Sequence, residues 1–173
     1  MPSAPPCGQT RNSPQIRRQG AELEVKLRPH AMMDVVAAYG YTDARFRSGA
    51  TLSSGVVEKG DRVPLVPTHR VTAGLTIRPL EGLEIGLDGQ YVSRQFLLND
   101  EPNVRPERVQ DYYVVNARAS YRWKWLTWFI QGNNLTDHKY ETYGILNAGE
   151  VFVMPAPGIN VLGGLTIRFE NYY

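Results

Sequence analysis

Cysteine is almost missing: Cys7 is the single one among 173 residues, so no internal disulfide can staple the fold. An excess of charge of one sign is missing too. The 19 basic and 17 acidic side chains leave a net charge of only +2. That excludes the basic surface of a nucleic-acid-binding protein, and no nucleic-acid partner is expected. No stretch approaches the roughly 20 consecutive apolar residues of a membrane helix. A membrane strand is not excluded by this, because it needs an apolar residue only at every second position. Histidine is scarce, and His30, His69 and His138 share no metal-ligand spacing, so no metal or cofactor is expected. No nucleophile, base and orienting group stand at catalytic spacing, and enzymatic activity is not expected.

What the chain does have is ten tyrosines, three tryptophans, 16 glycines and 12 prolines. From about residue 15 the dominant signal has period two, the mark of strands with one apolar face. In 20–28 the odd positions Ala21, Leu23, Val25 and Leu27 alternate with Glu22, Glu24, Lys26 and Arg28. Six further strands are expected over 33–45, 69–79, 83–97, 110–123, 125–135 and 158–170. Phe129 interrupts the polar face of the sixth.

The connections alternate strictly. Short ones lie at 29–31, 79–82 and 124–125; long ones, expected to be irregular excursions, cover 46–68, 98–109 and 136–157. In an antiparallel meander all short turns then fall at one end and all long loops at the other, the plan of an outer-membrane barrel. Trp123, Trp125 and Trp128 lie beside a short turn, whereas Tyr39, Tyr41, Tyr91, Phe96, Tyr112 and Tyr113 lie toward the long-loop ends. Rings at both ends of an apolar band resemble two interfacial girdles, although β-propensity also favours such residues.

The polar face carries charges in mid-strand, among them Asp34, Arg70, Arg78, Glu84, Asp88, Arg118, Arg122 and Arg168. Burying them unpaired would cost several kcal/mol each, so a wet lumen or a solvated face is required. Lipid is the simplest cover for the apolar face, since closed sheets satisfy every backbone group in hydrocarbon. The expected fold is therefore all-β, an antiparallel up-and-down meander of about seven strands. Seven strands leave two open edges, so this is an incomplete segment of a transmembrane β-barrel. Residues 1–14 are read as an irregular segment and 15–173 as barrel. The first residues hold no apolar core of an export signal, and a longer parent chain is expected. Two other readings are a porin-like barrel segment and a soluble lipocalin-like ligand-binding barrel.

Four segments resemble one family. Asn134-Leu135-Thr136-Asp137-His138-Lys139-Tyr140 is similar to the Asn-Leu-(Thr/Phe)-Asp-x-x-Tyr motif before the last strand of TonB-dependent outer-membrane receptors. Arg18-Gln19-Gly20-Ala21-Glu22-Leu23-Glu24, Tyr39-Gly40-Tyr41-Thr42-Asp43-Ala44 and Val63-Pro64-Leu65-Val66-Pro67-Thr68-His69 resemble three earlier segments, in the same order. The resemblance implies the last seven strands of a plugged barrel of about 22 strands. Such receptors import scarce ligands such as ferric siderophores or cobalamin, with energy delivered by TonB. It implies contact with outer-membrane lipid, a plug and TonB acting on the parent, and a periplasmic C-terminus. Phe169 and Tyr173 would carry the signal for the barrel assembly machinery, although Asn171 departs from that pattern. Loop residues Arg45, Arg47, Arg105, Tyr140 and Tyr143, with Asp100 and Glu101, are candidates for the ligand entrance. Asn134-Leu135-Thr136 also matches a glycosylation sequon but is read as strand-end capping.

Overall fold

The computed structural model describes residues 14–169, so the expectations for most of 1–14, for Asn171 and for Tyr173 lie outside the described residues. Eleven strands follow in chain order: β1 (Ile16–His30), β2 (Met33–Phe46), β3 (Ala50–Leu52), β4 (Gly55–Val57), β5 (His69–Leu80), β6 (Leu83–Val92), β7 (Tyr112–Trp123), β8 (Leu126–Asn133), β9 (Glu141–Asn147), β10 (Glu150–Pro155) and β11 (Asn160–Ile167). No helix occurs among the described residues. Seven of the strands form one antiparallel sheet in the order β1-β2-β5-β6-β7-β8-β11, with β1 and β11 as open edges. The all-β meander and its open state are thus as expected.

Register fixes the faces. Val25 pairs with Ala37, Ala37 with Ala73, and Ala73 with Gly89; on the next row Leu27, Val35, Leu75, Leu87, Ala117 and Gly132 stand opposite one another. Directly paired residues point to the same side, so the apolar positions of all seven strands form one continuous band. Phe129 does lie on the polar face. Gly164, opposite it, makes room: a Cβ there would stand 2.8 Å from the Phe129 ring.

Two aromatic rows bound the band. Tyr39, Val71, Tyr91 and Tyr113 are paired in succession near the long-loop end. Near the short-turn end Leu83, Tyr121, Trp128 and Leu165 are likewise paired, and Tyr121 meets Trp128 edge to face at 5.8 Å. From Tyr113 to Tyr121 the strand rises about 27 Å, or roughly 20 Å of height once tilted, close to the ~25 Å apolar band of an outer-membrane barrel. Tyr112 is not part of the girdle: its even position turns it to the polar side, where it stacks on Tyr140 at 4.4 Å.

The short turns are two-residue hairpins. Gly82 sits at φ +83°, where a Cβ would collide with the Arg122 carbonyl oxygen; that same turn receives the Arg122 amide on the Gly82 carbonyl at 2.9 Å. Here only glycine suits the backbone. The long loops are not irregular throughout. The first holds the β3–β4 hairpin and the last the β9–β10 hairpin. The expected fourth strand, 83–97, stops at Val92, because Ser93 to Leu98 leave the ladder and join the loops: Gln95 bridges Val109 and Leu98 bridges Ile145. The three loops interlock into a cap. Asn103 exchanges hydrogen bonds with the Arg62 backbone, and the Leu65 amide donates to the Phe96 carbonyl. The buried apolar side chains Ala44, Phe46, Val57, Val92, Leu97 and Val109 all belong to this end of the molecule.

Candidate functional site

The polar wall of the sheet divides into two levels. Near the short turns a chain of alternating charge crosses five strands. Arg28 Nε donates to Asp34 at 2.6 Å, Arg78 bridges Asp34 (2.5 Å) and Glu84 (3.1 Å), and Arg118 reaches Glu84 at 3.5 Å. Each pair is solvent-accessible and contributes little stability by itself. Their effect is to give the wall ordered, wet charges in place of a packed core. Arg118 reaches across the strand because Gly86, its partner, has no side chain to block it.

Nearer the long loops the wall is built mostly of amides and hydroxyls, with Asp88 the one charged group among the residues that line it. A concavity of about 710 Å³ is lined by Thr72, Asp88, Gln90, Asn116, Asn133, Asn160 and the Tyr112 and Tyr140 rings. Amides here are paired across strands: Asn116 Nδ2 donates to Asp88 at 2.8 Å and Asn133 to Asn160 at 2.9 Å.

The Asn134 to Tyr140 motif builds the rim. Asn134 is 2% exposed and has φ +49°, a conformation asparagine tolerates better than most residues. Its Nδ2 donates to the carbonyls of His138 (3.0 Å) and Pro157 (3.2 Å), and its Oδ1 accepts from the His138 amide and the Thr136 hydroxyl. Its own amide donates to Asn116 Oδ1 at 3.0 Å. Leu135 donates its amide to the Val115 carbonyl and lays its side chain over Gly132. Asp137 Oδ1 accepts from the Ile159 amide at 3.0 Å. The motif thus ties the end of β8 to β7 and to the start of β11, and it aims Tyr140 at Tyr112. With Nδ2 buried and doubly engaged, Asn134 offers no free amide to a sugar.

The five entrance candidates do not form one cluster. Arg45 shares the outward face with Tyr41 and is held by Asp43 at 2.8 Å. Arg47 is exposed and donates its amide to the Gln15 carbonyl. Arg105 and Asp100 lie in the middle loop, where Asp100 Oδ1 accepts from the amides of Val104 (3.0 Å) and Arg105 (3.4 Å). Tyr143 pairs with Met154 in the β9–β10 hairpin. Tyr140 alone of the five lines the polar concavity. Glu101 enters through its carbonyl, which accepts from Asn103. Phe169 is fully displayed to solvent, at 86%.

The burial of two cap residues, Leu97 at the end of the expected fourth strand and the entrance candidate Asp100, was not legible in the sequence. Leu97 is completely buried and packs beside Gly144, where a Cβ would stand 2.6 Å from its Cδ2. Asp100 is 1% exposed, and burial raises its pKa above the usual carboxylate value, opposed by the Arg105 and Val104 amides and the Arg108 charge. Arg108 lies 3.7 Å from Asp100 Oδ2 and its guanidinium stands over the Phe96 ring at 3.9 Å. Nothing in the local sequence pattern says which loops meet.

Comparison with known proteins places this geometry. The sequence profile of the family described as "TonB dependent receptor-like, beta-barrel" matches residues 1–135. The ferrichrome outer membrane transporter/phage receptor of Escherichia coli (strain K12) is 33% identical over 111 residues, which is 62% of this chain and 14% of the relative. Among solved structures, the ferric yersiniabactin uptake receptor FyuA of Yersinia pestis superposes with a TM-score of 0.74 at 19% identity, over 90% of this chain and 24% of its own. The siderophore receptor PiuA of Acinetobacter baumannii gives 0.71 at 21% identity, over 87% and 22%. At those identities the two structures establish the fold, and the chain spans less than a quarter of the curated relative and of PiuA. With the profile matched through β1, β2, β5, β6, β7 and β8, this chain belongs to the TonB-dependent receptor-like β-barrel family.

Proposed function

We propose that the chain supplies seven strands of a bacterial outer-membrane receptor that takes up a scarce ligand, such as a ferric siderophore, with energy from TonB. The observation that carries this reading is the apolar band, bounded by two aromatic rows and shared by all seven strands, opposite a charged, wet wall. The band meets lipid. The wall, with its Arg28–Asp34–Arg78–Glu84–Arg118 chain, faces the plug of the assembled receptor, and TonB acts through that plug. Residues 15–173 form the barrel part and 1–14 precede it. That Ile167, at the end of β11, pairs with Leu126 beside the β7–β8 hairpin supports the reading that the chain ends on the periplasmic side, with the short turns. Phe169, with Tyr173, is read by the barrel assembly machinery. Of the entrance candidates, Tyr140 touches ligand at the lumen, and Arg47, Arg105 and Tyr143 present themselves from the cap.

Two measurements test this. A strain lacking the chain, starved of iron and offered a panel of ferric siderophores, is expected to lose uptake of one, and removal of TonB to abolish the same uptake. Uptake that survives loss of TonB would replace this reading with that of a porin-like barrel. Separately, the isolated chain is expected to require detergent, because band and edges are uncovered. A compact monomer in detergent-free buffer would overturn the membrane assignment.

A further inference from the structure

The ladder between β7 and β8 ends at Ala117 and Gly132, below the first residues of β7. Segment 134–140 runs along the edge of β7 that is left, donating the Leu135 amide to the Val115 carbonyl. Four rings close around this edge. Tyr113, on the outward face and half exposed, stacks on His138 at 4.8 Å and 24°. His138 faces Tyr140 at 6.3 Å and 16°, and Tyr140 lies on Tyr112 at 4.4 Å and 27°. Tyr112 and Tyr113 are adjacent on β7 and so point to opposite faces. The rings therefore run from the outer face of the sheet, over its edge, to the polar concavity, and His138 is the link between the two sides.

Backbone contacts fix both ends of that link. The His138 amide and carbonyl bond to the Asn134 side chain at 3.1 and 3.0 Å, and the Tyr140 carbonyl accepts the Ala156 amide at 2.9 Å. Near-parallel rings less than about 7 Å apart attract one another, so with the backbone held the side chains have little freedom left. We propose that His138 is a positioning residue: its ring, braced on the outward Tyr113, holds Tyr140 in the orientation that presents it to the lumen. A ligand that meets a ring already fixed avoids the cost of ordering it, which for one side chain corresponds to about two- to tenfold in affinity. His138 occupies a position that the pattern Asn-Leu-(Thr/Phe)-Asp-x-x-Tyr leaves open, so the brace belongs to this chain and not to the motif. The proposal rests on the reading that Tyr140 touches ligand in the lumen.

The full chain, labelled with fluorotyrosine and purified in non-ionic detergent, is followed by fluorine NMR, with the Tyr140 signal assigned by Tyr140→Phe. His138→Ala is expected to shift and broaden that signal, and His138→Phe, which keeps a flat ring, to restore it. Tyr113→Leu is expected to shift it too, although His138 stands between the two rings. Tyr39 and Tyr41, on β2, report folding and should stay in place. In iron-starved cells, the iron-labelled siderophore whose uptake requires the chain should show a KM raised about two- to tenfold in His138→Ala, an unchanged maximal rate, and a KM close to that of the parent in His138→Phe. An unmoved Tyr140 signal in His138→Ala, no restoration by His138→Phe, an equal shift of Tyr39 and Tyr41, or an unchanged KM beside a shifted signal would each overturn the proposal. Failure of the uptake reading shows itself differently: no siderophore of the panel then depends on the chain, while the Tyr140 signal still answers to His138.

Discussion

Replacing Asn134 by alanine isolates what the family motif does. The substitution deletes two donors and two acceptor contacts at a side chain that is 2% exposed. Thr136 is exposed and regains water, so its loss is small. The His138 amide and the carbonyls of His138 and Pro157 lose a buried partner, each at about 1–3 kcal/mol before any water enters the gap. Alanine also tolerates the φ of +49° less well than asparagine, adding roughly 1 kcal/mol. A water molecule filling the vacated volume offsets part of this, and a net local cost of about 2–4 kcal/mol follows. Hydrogen exchange at the amides of His138 and Ile159, measured in detergent, should then accelerate roughly thirty- to thousandfold, with amides in mid-β5 unchanged. Asp137→Ala, which removes a single exposed contact to Ile159, should accelerate Ile159 alone and by no more than about tenfold. Equal protection in Asn134→Ala and the parent would refute the claim that this side chain welds β8 to β11.

Leu97→Ala removes a fully buried side chain from the cap and should cost about 2–5 kcal/mol locally, seen as faster proteolytic nicking between residues 93 and 111. Burial raises the Asp100 pKa in the folded cap, so the folded form holds its proton to higher pH than the unfolded form. Cap stability should therefore be greatest below the ordinary value of 3.8, fall as pH rises through it toward the raised value, and then level off. Asp100→Asn should flatten that dependence in exchange at the Val104 amide; an unaltered profile would count against it. Gly164→Val places a branched side chain within 2.8 Å of the Phe129 ring and should lower the thermal midpoint of the detergent-solubilised sheet, whereas Phe129→Ala in the same background should recover part of the loss.

The sheet was legible because a half-buried strand writes its two environments into alternate residues. Leu23, Val25 and Leu27 against Glu22, Glu24 and Lys26 admit no other regular structure, and the observed register puts each set on the expected side. Phe129 broke the pattern for a reason two strands must be read together to see: its neighbour across the ladder is Gly164. Tyr112 shares its height with Tyr113 but not its parity, and parity, which turns it onto Tyr140, decides its face. The two loop hairpins left fainter signals. Asn147-Ala148-Gly149 between Leu146 and Val151 is a recognisable turn, with Ala148 at φ +50° and Gly149 at φ +87°, but its strands are short and belong to no long alternation. The cap itself was out of reach. Its contacts join Arg62 to Asn103 and Leu97 to Gly144, and such long-range pairings have no local period.

The distribution of buried residues follows from the same physics. Among the described residues, no side chain in the lower part of the sheet is buried between two layers, so the ladder of backbone hydrogen bonds and the solvent outside it must hold the strands together. Hydrocarbon suits that role, because it strengthens every backbone bond by offering no competitor. The loops stand clear of the band and meet water, and there the chain does what soluble proteins do: it buries Phe46, Val57, Val92, Leu97 and Val109 against one another. One sequence thus contains two solutions to the problem of apolar surface, divided at the upper tyrosine row. Under the proposed contact with lipid, a substitution that adds polarity below that row is answered by the membrane, and one that removes volume above it is answered by the cap. The Asn134 motif stands at the boundary, where the ladder of β8 ends and the packed loops begin. Its dense hydrogen bonding is what a junction between those two regimes requires, since the carbonyls of His138 and Pro157 lie outside the strand ladder and find their partner in the buried Asn134 side chain.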